Sequence, residues 1–154
     1  MSMQQVIDEV QGLDGALVVL PGPGDGTPEL AWGDAFFYYA PDGRMPQHTQ
    51  PYGTIVTKDY PDDAASDLDA DGRWRVNVHV DRAAFVELTG EESRHLERPR
   101  DFTATDVVNP HPVYAVLGWV SVVVPGERTM PTVLALLRSA HDAARARAER
   151  RSGT

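Results

Sequence analysis

The sequence predicts an α+β domain in which a mainly antiparallel sheet carries the N-terminal and C-terminal helices on one face. Three observations lead there. Helical periodicity is confined largely to the two ends of the chain, short β-branched runs fill the middle, and Gly, Pro and Asp clusters separate those runs at hairpin-like intervals. No internal repeat or interdomain linker is visible. A length of 154 residues fits one domain spanning 1–154, with residues 1–2 and 150–154 expected to fray.

The first element is a short amphipathic helix. Ser2 and Gln5 form a capping-box pattern, and Met3, Val6, Ile7 and Val10 recur at helical spacing before Gly12. Ala16 to Leu20 is a continuous apolar run too short for a helix, hence a buried strand. Pro21-Gly22-Pro23-Gly24-Asp25-Gly26-Thr27-Pro28 is turn chemistry, and its glycines lack the Lys-Ser/Thr pair and following helix of a phosphate-binding loop. Residues 30 to 39 read as the second strand, paired with the first in a hairpin and closed by Pro41-Asp42-Gly43.

Residues 53 to 59 make a third strand, followed by an acidic loop from Asp62 to Gly72. The fourth strand, Trp74 to Val80, alternates cleanly. Trp74, Val76, Val78 and Val80 share a core-facing side, and Arg75, Asn77 and His79 share the other. Asp81 is an N-cap for a short helix that Gly90 stops. Residues 91 to 106 form a surface connection, and Val107-Val108 and Trp119 to Val124 supply the last strands. The closing helix starts near Thr129 with Pro131 in its first turn and buries Val133, Leu136, Leu137, Ala140 and Ala144.

Charge narrows the function. The chain carries −9 overall, yet Arg138, Arg145, Arg147, Arg150 and Arg151 against Asp142 and Glu149 give residues 138 to 151 a charge of +3, leaving −12 on the rest. Such a body repels phosphate backbones, so no nucleic-acid partner is expected. No run approaches a membrane span and no signal segment opens the chain, so no membrane partner is expected and the expected location is cytoplasmic. The absence of cysteine excludes disulfides and thiolate chemistry.

Candidate sites follow from the polar strand face. Arg75 and Asn77, with Lys58 from the preceding strand, could line a groove on it, with Trp32 and Tyr38 as walls, to bind a small molecule or a protein partner. Lys58, the sole lysine, could bind an anion or act as a desolvated amine nucleophile, or simply reach solvent from a strand end. His111, between Pro110 and Pro112, could be an acid-base group, since histidine titrates near neutrality, or could only hold its turn. An enzyme using His111 or Lys58 is thus an alternative to a binding domain. A third reading is an interaction subunit that docks by the arginine-rich end of its last helix.

No cofactor motif is present, and no metal is expected. Asp67-Leu68-Asp69-Ala70-Asp71-Gly72 copies the first six positions of a calcium loop, but the twelfth is Val78 rather than glutamate and lies inside a strand. Asp67, Asp69 and Asp71 therefore read as a solvated acidic turn. The histidines lack the paired spacing of a zinc helix.

Several segments together carry a resemblance. They are Pro21 to Glu29, Trp32-Gly33-Asp34 with its aromatic tail, Thr54 to Pro61, Arg75-Val76-Asn77, and His111-Pro112-Val113-Tyr114. From about Met3 to Arg150 the chain resembles the bacterial domain-of-unknown-function family number 6194. More loosely, it is similar to YjbR-like double-wing and luciferase-named small domains, where a Gly-Trp-Val strand precedes a closing helix. The resemblance implies an α+β architecture and assigns no catalytic residue.

Overall fold

A computed structural model describes residues 1–153 and bears out the α+β class. Helix α1 (Met3–Gln11) is followed by strands β1 (Ala16–Val19), β2 (Ala35–Tyr39), β3 (Gly53–Val56) and β4 (Arg75–His79). Helix α2 (Arg82–Thr89), strands β5 (Val108–Pro110) and β6 (Trp119–Val123), and helix α3 (Met130–Ser152) complete the chain. The six strands form one sheet in the order β1-β2-β3-β4-β6-β5, with every neighbouring pair antiparallel. Among the described residues no helix is long and apolar enough to cross a membrane.

Register decides what each face carries, because directly opposed residues of an antiparallel sheet share a face. One face is apolar. Phe37, Gly53, Val78 and Val120 form one row across β2, β3, β4 and β6, and Ala35, Ile55, Val76 and Val122 form the next. These residues, apart from the side-chain-free Gly53, join Val6, Val10, Val133 and Leu137 from α1 and α3 in a single core. Gly53 is required by that packing. A Cβ there would stand 2.8 Å from Leu137 Cδ2 and 3.1 Å from Phe37 Cδ2, so the missing side chain lets α3 approach the sheet.

The helix ends are capped by particular side chains. Ser2 Oγ accepts from the Gln5 amide, and Asp81 Oδ1 accepts from the Ala84 amide at 2.8 Å. Gly90 closes α2 in the left-handed conformation at φ 78°. Helix α3 is started from a distance. Thr129 makes no side-chain cap bond, and instead Asp106 accepts from the amides of Gly126 and Thr129 at 2.8 and 3.0 Å, from the Thr129 hydroxyl, and from the Arg128 amide. Helix α3 continues through Ser152, beyond residue 150 where fraying is expected; Thr154 lies outside the described residues.

Two strand expectations are corrected. Residues 30 to 34 are not strand: Glu29–Ala31 forms a 3₁₀ turn and Gly33 takes φ 88°, so the run that reads as one strand from 30 to 39 begins only at Ala35. Strand β3 stops at Val56 rather than residue 59, because Thr57 and Lys58 turn toward the Asp34 carboxylate.

The Asp106 clamp makes a testable case. Its hydrogen bond from the Thr129 hydroxyl, with the three amide bonds, holds the carboxyl at about 2, below its ordinary value of 3.8. Its contribution to stability is therefore complete above pH about 4 and is lost as pH falls through 2. Asp106→Ala should lower the melting temperature at pH 7 by roughly 2–4 °C, and the deficit should vanish in melts at acid pH.

Candidate functional site

The second face of the sheet is polar in sequence but not open to water. Arg75 and Asn77 are only 1% and 3% exposed, because the 59–72 and 111–117 connections fold over it. Its rows are Phe36, Thr54, Asn77 and Ser121, then Val56, Arg75 and Val123, with His79 opposite Trp119. Between the strands and the covering loops lies a groove of about 720 Å³.

The floor of the groove is a hydrogen-bond network around the Arg75 guanidinium. Nε donates to Asn77 Oδ1 at 2.8 Å, Nη1 donates to Asp63 Oδ1 and Ser66 Oγ at 3.0 Å each, and Nη2 donates to Asp63 Oδ2 at 2.5 Å. Arginine is a donor only, so Asn77 must turn its oxygen to Nε. That oxygen also accepts from Ser121 Oγ at 2.8 Å, and the Asn77 amide nitrogen donates to Thr54 Oγ1 at 2.9 Å. Burial pushes the Asp63 carboxyl up, but the hydrogen bonds and charge of Arg75 outweigh it and hold Asp63 below the usual carboxylate value.

His111 completes the floor, and its tautomer follows from its neighbours. Nδ1 accepts from the amides of Val113 and Tyr114, both at 3.0 Å, so it carries no hydrogen. Nε2 therefore carries the proton. It sits 3.2 Å from Arg75 Nη2, itself a donor, and 3.7 Å from Asp63 Oδ2. Burial above all, then the charge of Arg75, push this imidazole down to about 4, against the opposite pull of Asp63. At neutral pH His111 is an uncharged hydrogen-bond donor, and its one lone-pair nitrogen is spent on holding the turn.

The walls are apolar and aromatic. Phe36 and Val56 come from β2 and β3, and Leu30 and Ala31 come from the 3₁₀ turn. Trp119 from β6 lies with Tyr114 and Leu117 of the connection before it. A second cavity of about 600 Å³, which also has Leu117 in its lining, is bordered by the exposed Arg82–Glu92 pair and by His95.

The remaining candidates sit elsewhere. Lys58 does not line the groove. Its ammonium donates to the Trp32 carbonyl at 2.9 Å and to Asp34 Oδ1 at 3.0 Å, so it fastens the 32–34 turn to the end of β3. The fully buried Asp34 carboxylate also accepts from the Thr57 amide and hydroxyl and from the Tyr60 hydroxyl. Burial, with Asp34 adding to it, raises the Tyr60 phenol well above its ordinary value. Trp32 donates its indole N–H to the Thr27 carbonyl, and Tyr38 lies half-buried opposite Leu17 of β1; neither lines the groove.

In the acidic loop, Asp69 accepts from the Asp59 amide, Asp59 accepts from the Leu68 amide, and Asp67 holds φ 54°. Among the described residues no three His, Cys, Asp or Glu side chains are arranged to hold a metal ion. On α3, Arg138 pairs with Glu9, and Arg145 lies near Asp142 and Glu149.

Asp63, Ser66 and Thr54 are the groove residues that sequence reasoning passed over. Arg75, bracketed by Trp74 and Val76 within a strand, needed a counter-charge, and the acidic loop immediately upstream was the available source.

Fold and site together define a class: a small antiparallel α+β domain with helices on one sheet face and a loop-roofed groove with an arginine-centred floor on the other. The chain belongs to the family described as a family of unknown function, DUF6194, whose model matches residues 1–153. No curated protein and no solved structure matches the chain.

Asp63→Ala leaves the guanidinium of Arg75 buried without its counter-ion and should cost about 3–5 kcal/mol in denaturant unfolding. Asp62→Ala, at the exposed neighbour, should stay within about 0.5 kcal/mol of the parent. His111 should be observed by long-range proton–nitrogen NMR with a bare Nδ1 and a protonated Nε2, unchanged as pH falls from 7 until it nears 4.

Proposed function

We propose that this protein is a small-ligand-binding domain and that its ligand occupies the groove on the sheet face opposite the helices. The observation that carries this reading is the pairing of apolar walls with a floor of convergent, buried polar side chains. A cavity of about 720 Å³ is within the range of small-molecule sites, which combine mainly apolar linings with a few fixed polar groups. The floor is also pre-organised: Arg75 and Asn77 are held by Asp63, Ser66, Ser121 and Thr54, and His111 by two backbone amides, so they need no rearrangement to meet a ligand.

Two features favour binding over catalysis by His111 or Lys58. The lone-pair nitrogen of His111 is already occupied by two backbone amides, which suits a donor and not a general base. The ammonium of Lys58 is bound to a carboxylate and a carbonyl outside the groove lining. A protein partner is the second reading, favoured by the apolar rim: Tyr114, Val116 and Leu117 are 43%, 50% and 61% exposed in one short turn beside the groove.

Ala31 is half-buried in the groove wall and outside the core, so a large side chain there adds bulk to the groove without displacing a core residue. In calorimetric titrations with naphthalene as an apolar probe, Ala31→Trp should bind about tenfold more weakly than the parent, a loss of about 1.4 kcal/mol. Equal affinity in the two proteins would put the probe elsewhere and overturn the assignment.

A further inference from the structure

The groove has a chemical polarity that defines its ligand more narrowly, on the footing that the groove is the binding site. Its charged lining consists of Arg75, Asp62 and Asp63, a net charge of −1. Arg75 and Asp63 neutralise one another, so the floor holds no uncompensated positive charge to receive an anion. Asp62 is exposed at the edge, and the buried floor beneath it is a set of donors.

Three of those donors are unspent. Thr54 Oγ1 accepts from Asn77, which leaves its own hydroxyl hydrogen free. The Asn77 amide nitrogen uses one hydrogen on Thr54, and the second meets no acceptor among the described residues. Among the described residues the Nε2–H of His111 reaches no acceptor within 3.5 Å, with Asp63 Oδ2 at 3.7 Å and the Arg75 donor facing it at 3.2 Å. Two donors that face one another in a buried site are both relieved by an oxygen that accepts from them.

An anion would meet carboxylates, and an ammonium at the floor, where Asp63 is already paired with Arg75, would face N–H and O–H groups. We propose that the groove takes an uncharged ligand with an aromatic-sized apolar body whose carbonyl oxygen is received by the floor donors Thr54, Asn77 and His111. The body lies against Phe36, Tyr114 and Trp119, and the oxygen points at β3 and β4.

The test is a calorimetric comparison of four probes that share one ring system, using the full chain at pH 7: acetylnaphthalene, naphthoate, naphthylmethylammonium and naphthalene. Acetylnaphthalene should bind about tenfold more tightly than either charged probe and about threefold or more above naphthalene, the worth of one or more neutral hydrogen bonds. Thr54→Val keeps the strand and the shape while removing the hydroxyl. It should weaken acetylnaphthalene by about threefold to tenfold and shift naphthalene by clearly less. Tightest binding by naphthoate or naphthylmethylammonium, or a hydrocarbon binding as well as the ketone, overturns the assigned ligand class while the groove remains a site. Failure of all four probes to bind removes the groove as a site, and the ligand class with it.

Discussion

A guanidinium buried at the centre of a six-stranded sheet is the constraint on which the polar half of this protein depends. Arg75 sits in β4 with Trp74 and Val76 beside it, and its own side chain is 1% exposed. Such a charge is tolerated only when its hydrogen bonds and its counter-ion are supplied together. Asn77 supplies one oxygen from the same strand. The others come from Asp63 and Ser66, so the acidic connection between β3 and β4 must fold back across the sheet face. Roof and floor of the groove are thereby fixed by the same side chain.

Three carboxylates do comparable work at three places, each joining segments distant in sequence. Asp63 ties the 60–66 loop to the sheet through Arg75. Asp34 gathers Thr57, Lys58 and Tyr60 and so sets where β3 ends and how the roof leaves it. Asp106 supplies the missing cap of α3 from the β5 side of the molecule. Much of the acidic composition thus has a local structural purpose, and the net charge of −9 need not imply a cationic partner.

The helices and the strand alternation were legible because they are local and periodic. Val6, Ile7 and Val10 on α1, the alternation through Arg75 to His79, and Val133, Leu137 and Ala140 on α3 announce their faces directly, and the structure buries the apolar members. The strand ends near Asp34 were not legible. Leu30, Ala31 and Trp32 read as strand residues, but Pro28 and the positive φ of Gly33 convert them into a turn, and Lys58 leaves β3 to meet a carboxylate 24 residues earlier. The pairing of Arg75 with Asp63, like the closure of His111 over it, depends on register and loop path. A strand pattern shows which face a residue takes but not which loop will cover that face.

The chemical character of the groove follows from how its parts satisfy one another. Internal pairing offsets the charge of Arg75, two backbone amides fix His111 as a neutral donor, and Thr54 and Asn77 keep hydrogens that no acceptor among the described residues takes. The most direct measurement of this account is amide chemical-shift mapping of the isotope-labelled protein titrated with acetylnaphthalene. Perturbations centred on residues 54–56, 75–77 and 111–119 are the predicted result. Perturbations confined to α1 and α3, on the opposite face of the sheet, would contradict it.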